Sequence, residues 1–138
     1  MERLLDLVER PVHLRVKADD LPIGHENGEV TVGGKLSEWL LEPVARDTFL
    51  IRSAEDRSRA WFTPDQKTPA RVLLGPPTPV APEAPEFRFV PVAGEEDTYE
   101  ILHGDDKGIG VYKPNQTTQQ PLTLLGAPSA YRILVTPA

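Results

Sequence analysis

The chain alternates apolar and polar residues with period two in short runs, and each run is closed by Gly, Pro, Asn or Asp. That pattern predicts β-strands and turns, and no helical stripe follows Pro11. Twelve strands are expected, at 12–16, 21–25, 29–32, 39–43, 48–53, 60–63, 71–74, 87–92, 98–102, 109–113, 122–125 and 131–135. They group by fours. Each third strand reads apolar-x-apolar before a glycine: Val30-Thr31-Val32-Gly33, Val72-Leu73-Leu74-Gly75, and Leu122-Thr123-Leu124 with Gly126 one place later. Each fourth strand opens on an aromatic with an apolar residue two later: Trp39/Leu41, Phe87/Phe89 and Tyr131/Ile133. The aromatics stand 48 and 44 residues apart, and Asp47-Thr48-Phe49-Leu50-Ile51 returns as Asp97-Thr98-Tyr99-Glu100-Ile101.

A four-stranded repeat of this period suits a propeller blade or a trefoil lobe, and length decides between them. A propeller closes with about four blades or more, whereas this chain has three units. The expectation is an all-β, single-domain β-trefoil over residues 1–138, a six-stranded barrel capped by hairpins, with lobes at about 12–46, 47–94 and 95–138. Before it, Leu4, Leu5 and Val8 share a face of a short N-terminal helical turn that Pro11 would stop.

Composition narrows the function. Fifteen Lys and Arg against 21 Asp and Glu leave a net charge of −6, which argues against a nucleic-acid or anionic-membrane partner. There is no cysteine, hence no disulfide scaffold, thiolate metal site or cysteine nucleophile. Glu2, Asp6 and Glu9 interrupt what a signal peptide would need to be apolar, so a soluble, cytoplasmic monomer is expected, with release from cells left open. Catalysis is not expected, nor is a metal or cofactor. His13, His25 and His103 have no ligand partner at useful spacing; His103 reads as part of the turn His103-Gly104-Asp105-Asp106, and the acidic pairs Asp19-Asp20 and Glu95-Glu96-Asp97 read as solvated turns.

Loops on a closed barrel are the variable surface, so loop-mediated binding is the favoured class. Four loops stand out. Asn27 sits in Glu26-Asn27-Gly28, a dipeptide suited to a tight hairpin with positive φ. Arg46 lies in the link between the first two lobes, where the following Asp47 suits a protease rim poorly. Gln66, Lys67 and Thr68 lie between Pro64 and Pro69, whose fixed φ stiffens the segment. A proline-rich insertion at 75–85 includes Pro79-Val80-Ala81-Pro82, a PxxP segment without a nearby basic anchor, and reads first as a rigid spacer. A stiff, extended segment presenting a lysine fits a trypsin-like pocket at small entropic cost, which makes Lys67 the leading candidate.

The phrases Asp97-Thr98-Tyr99-Glu100-Ile101, Pro121-Leu122-Thr123-Leu124-Leu125 and Tyr131-Arg132-Ile133 resemble the β-trefoil serine protease inhibitors of mushrooms, the mycospin type. The resemblance spans roughly residues 12 to 135 and implies reversible inhibition of a serine protease through surface loops. It departs at the N-terminal lead-in and at the proline-rich insertion. The rival within this fold is a carbohydrate-binding lectin using Asp19, Trp61 and Tyr112, although the Gln-x-Trp phrase of ricin-type lobes is missing at Ser37-Glu38-Trp39 and its counterparts. A partner-binding module using the proline-rich loop is the third reading.

Overall fold

The structure, a computed structural model, describes residues 7, 8, 10–63, 70–75, 86–103, 107–111, 119–125 and 131–138, with no account of the Asp19 side chain. The first lobe contains β1 (Val12–Val16), β2 (Leu21–Glu26), β3 (Glu29–Val32) and β4 (Trp39–Ala45). The second contains β5 (Thr48–Ser53), β6 (Ala60–Phe62), β7 (Ala70–Arg71), β8 (Leu73–Gly75) and β9 (Phe87–Pro91). The third contains β10 (Thr98–His103), β11 (Lys107–Gly110), β12 (Gln120–Pro121), β13 (Thr123–Leu124) and β14 (Arg132–Pro137).

Six strands close a barrel in the order β1, β4, β5, β9, β10, β14, every neighbouring pair antiparallel. Closure is completed where Val12 to Val16 of β1 pair with Pro137 to Ile133 of β14, and it leaves no open sheet edge in the barrel. Six of the remaining strands make three hairpins, β2 with β3, β6 with β8 and β11 with β13, which cap one end, and the two-residue strands β7 and β12 pair across to β13 and β3. This is the β-trefoil arrangement expected from the repeat.

The third strands hold the cap together, and they explain why fourteen strands appear among the described residues where twelve were expected. Val30 N–H donates to the Val72 carbonyl, Val72 N–H to that of Leu122, and Leu122 N–H to that of Val30, at 3.0, 2.9 and 2.8 Å. These three residues thus spend their backbone groups on a cycle around the threefold axis. In the second and third lobes the cycle residue interrupts the ladder, so β7 and β8 flank Val72, and β12 and β13 flank Leu122. All three side chains are fully buried.

Above the cap, Leu41, Phe89 and Ile133 fill the barrel, with Leu14, Ile51 and Ile101 beside them. Trp39, Trp61 and Phe87 form an edge-to-face chain, with centroids 5.5 and 5.7 Å apart, an arrangement that aromatic quadrupoles favour. The third of the fourth-strand aromatics departs from this pattern. Tyr131 is only partly buried, because its hydroxyl needs a polar partner and finds the Val111 carbonyl at 3.1 Å.

The N-terminal lead-in also differs from expectation. No α-helix occurs among the described residues, and a single turn closed by Arg10 N–H to the Leu7 carbonyl precedes Pro11. One turn fixes several dihedrals for one hydrogen bond and cannot propagate past proline, so packing takes over: Leu7 is buried and Val8 packs on the core. Leu4 and Leu5 lie outside the described residues. A one-turn 3-10 segment, Ala18–Asp20, is the helical element among the described residues. No helix among the described residues is long and apolar enough to cross a membrane.

Candidate functional site

β4 and β5 form a hairpin that begins beside the cap, where Trp39 Nε1 donates to the Ile23 carbonyl at 3.1 Å. β4 then runs seven residues, about 20 Å at strand rise, to a tip at the far end of the barrel. Its register is regular from Trp39↔Ser53 to Pro43↔Phe49, slips at Val44, and resumes at Ala45↔Thr48. The bulge takes Val44 out of the ladder, and at 42% exposure it is the exposed large hydrophobic of the described residues. Arg46 follows at the turn, exposed, with no ion pair or side-chain hydrogen bond among the described residues. Asp47 closes the turn at φ 52°, a left-handed conformation that Asp tolerates better than most residues.

The tip is braced on both sides. Before it lie the ladder pairs of Glu42 and Pro43; after it, the Phe89 N–H donates to the Asp47 carbonyl at 2.9 Å and Thr48 pairs with Arg88. Beside the hairpin a groove of about 510 Å³ is lined by residues that include Val8, Leu40, Pro43 and Arg52. A guanidinium with no partner among the described residues, on a doubly anchored turn, can enter an acidic pocket without the backbone reorganising.

Asn27 occupies the tip expected of it, with φ 55° followed by Gly28 at 79°, the geometry of a two-residue hairpin turn. It is exposed and braced too, by the Leu74 N–H donating to the Gly28 carbonyl at 2.8 Å. Its neighbours Glu26 and Glu29 are engaged by Gln119 and Arg71 at 2.9 and 2.8 Å. This tip belongs to the cap and the Arg46 tip to the other end of β4, so the two do not share a surface. Gln66, Lys67 and Thr68, like the insertion with its PxxP segment, lie outside the described residues.

Three further observations bear on chemistry. His103 is not part of a turn: it is the last residue of β10, 2% exposed, stacked on Phe87 at 4.6 Å and 25°. Its Nδ1 donates to the Glu86 carbonyl at 2.8 Å, and its Nε2 lies 3.0 Å from the Thr63 hydroxyl. The signal was available, since the 47–51 and 97–101 phrases align His103 with Ser53, a buried alternate position. Secondly, Glu95 is held between Lys17 Nζ at 2.8 Å and Arg132 Nη1 at 2.7 Å. The Lys17 hydrogen bond, with help from the Arg132 and Lys17 charges, keeps its carboxyl below the ordinary glutamate range against a smaller opposing effect of burial, so it serves as an ionised acceptor. Thirdly, Trp61 is fully buried and offers no face to a sugar; Tyr112 and the Asp19 side chain lie outside the described residues. No group of three metal-ligating side chains occurs among the described residues.

Known proteins share the fold at low sequence identity. The chain is similar to a designed 3-fold symmetric protein, ThreeFoil, with TM-score 0.75 and 11% identity over 93% of this chain and 99% of that one. A salivary protein from Culex quiquefasciatus of the Cysteine and Tryptophan-Rich family gives TM-score 0.74 and 11% identity, covering 94% of both chains. The BEL β-trefoil gives 0.67 and 12%, covering 95% and 94%. At such identities the likeness concerns the fold, and it fixes the chain as a β-trefoil. No family model matches the sequence, and no curated protein does.

Proposed function

We propose that this protein is a loop-mediated protein binder that reversibly inhibits a trypsin-like serine protease, without catalytic chemistry of its own. The observation that carries the reading is the Arg46 tip: an exposed cation, unpaired among the described residues, on a turn whose two flanks are both tied into the barrel. A trypsin-like specificity pocket holds an aspartate, and a guanidinium pairs with it in fork geometry. Because the turn is already ordered, little loop entropy is lost on binding. If the protease attacks the Arg46 carbonyl, the amine end beginning at Asp47 stays tethered through Phe89 and Thr48, and the acyl end through the Pro43 and Glu42 pairs. The leaving amine remains beside the acyl-enzyme, so religation competes with hydrolysis. The left-handed Asp47 turns the chain away after Arg46, which takes its carboxylate off the line of an extended substrate. Lys67, in its proline-braced segment, is the alternative contact residue, and Asn27 the third.

The test is a trypsin titration with the full chain. Near-stoichiometric loss of activity is expected, and Arg46→Ala should weaken it by about a hundredfold or more, the scale of a buried arginine hot spot. Loss with Lys67→Ala instead moves the contact to the second lobe. No inhibition of trypsin, chymotrypsin or subtilisin removes the reading.

A further inference from the structure

The chain that leads into Arg46 is apolar where it meets solvent. Pro43, Val44 and Ala45 close β4 as three consecutive exposed apolar residues, and the cation follows at once. Single apolar side chains on a surface are ordinary, but an uninterrupted run of three on an ordered tip has a use only if something covers it. The nearest carboxylate along the chain on this side is Glu42, and Arg52 Nε donates to it at 2.6 Å. The run therefore stands between an engaged acid and an open cation.

The same three residues recur one lobe later in a different setting. Pro91-Val92-Ala93 enters the tip that leads to β10. There the Val92 N–H donates to the Thr98 carbonyl at 3.0 Å, the residue is half-buried, and the chain continues through Gly94 to Glu95, which Lys17 and Arg132 hold. In the first tip the bulge takes Val44 out of the ladder and leaves it 42% exposed, two residues before an arginine. The repeat accounts for a valine in both tips. It does not account for uncovering the one that stands beside a cation.

Two residues span at most about 7 Å between Cα atoms, so an enzyme that draws the Arg46 guanidinium into a pocket brings the rim of that pocket over Val44. An apolar rim gains by removing the remaining valine surface from water, whereas a charged rim loses its own hydration against it. We infer that Val44 is a specificity-determining contact: among trypsin-like proteases it selects those whose rim beside the acidic pocket is apolar. The inference rests on the inhibitor reading with Arg46 as the pocket residue.

Trypsin is the probe, titrated with the full chain and its variants while the thermal midpoint of each is measured. Val44→Thr keeps the volume and the β-branching of the bulged residue and replaces a methyl by a hydroxyl. Val44→Ile keeps branching and apolarity, Val44→Glu sets a carboxylate at the rim, and Val92→Thr makes the first change at the covered valine. Less than half of a valine's burial is left to gain, so Val44→Thr should raise the inhibition constant about fivefold at an unchanged midpoint, with little dependence on salt. Val44→Ile should match the parent or tighten binding by up to about threefold. Val44→Glu should weaken it about a hundredfold, a penalty that shrinks as salt rises. Val92→Thr should lower the midpoint and leave inhibition alone. A parent that does not inhibit trypsin, or whose inhibition survives Arg46→Ala, removes the Arg46 reading and this inference with it. Inhibition that requires Arg46 yet is unchanged by Val44→Thr overturns the inference and leaves the reading standing, and so does a loss of inhibition that only follows a lowered midpoint.

Discussion

The junction between the first and second lobes and the junction between the second and third are built on one plan, yet each sends its histidine a different way. At the first, β2 ends near His25, β5 ends at Ser53, and Trp39 opens the fourth strand; at the second the same places hold Thr63, His103 and Phe87. Hydroxyl and imidazole have exchanged strands. Ser53 turns its hydroxyl to accept the N–H groups of Glu55 and Asp56, both at 3.2 Å, and His25 is left to pair with Glu55 at 3.0 Å. Thr63 instead turns inward to His103. The ring of His25 meets Trp39 edge-on at 5.7 Å and 67°, while that of His103 lies flat on Phe87. A fold position therefore does not decide whether a histidine is a strut or a surface partner; the destination of the neighbouring hydroxyl does.

Truncating each ring in turn should separate the two histidines most widely. His103→Ala removes a buried, stacked ring together with its bonds to the Glu86 carbonyl and the Thr63 hydroxyl, so a loss of about 2–4 kcal/mol is expected in denaturant unfolding. His25→Ala should cost under about 1 kcal/mol, because its bond to Glu55 reaches solvent. Equal losses would mean that the two junctions are energetically the same.

A smaller effect is expected from the glycines that let the junctions close. A Cβ on Gly24 would collide with the Lys35 carbonyl, a backbone group with little room to move, whereas one on Gly110 would meet the Tyr131 ring, which can turn. Gly24→Ala should destabilise by about 1–3 kcal/mol and Gly110→Ala by less. The opposite order in melting experiments would show that the tyrosine, rather than the connection at Lys35, is the rigid wall.

The third junction supplies a pH signature of its own. Lys17, Glu95 and Arg132 join the first lobe, the link before β10 and β14. Because the folded carboxyl of Glu95 titrates below its unfolded value, its contribution is complete above the ordinary glutamate range and fades as the pH falls through the lowered folded value. Stability of the parent should therefore decline on acidification more steeply than that of Glu95→Gln, the two curves converging in acid. A Glu95→Gln curve parallel to the parent's throughout would remove the ion cluster from the account.

Much of this was legible in the chain, and the parts that were not share a cause. The repeat of aromatic-x-apolar openings and the twin phrases at 47–51 and 97–101 encode lobes, barrel strands and core, since burial imposes alternation on every strand. The turn at Asn27 could be read because positive φ restricts residue type. The split third strands could not be, because Val72 and Leu122 have unremarkable alternation and differ only in bonding across the axis to other lobes. The same holds for His103, whose partners lie 40 and 17 residues away. Arg46 was visible as a charge in a link, but its brace from Phe89 and the bulge at Val44 exist only once β5 pairs with both β4 and β9. Local chemistry reads from local sequence; contacts between lobes need the closed barrel.

The smallest effect expected is at the His25–Glu55 pair itself, and it tests the comparison most finely. Glu55 keeps 58% of its side chain exposed and His25 21%, so water screens the pair and competes for both partners. Glu55→Gln preserves the shape and one acceptor while removing the charge, and the Ser53 bonds to the Glu55 and Asp56 N–H groups involve backbone donors that the substitution leaves alone. A change within about 0.5 kcal/mol is therefore expected, with little dependence on salt. A loss approaching that of His103→Ala would place His25 and His103 in the same structural role, and the hydroxyl at Ser53 would no longer be what separates them.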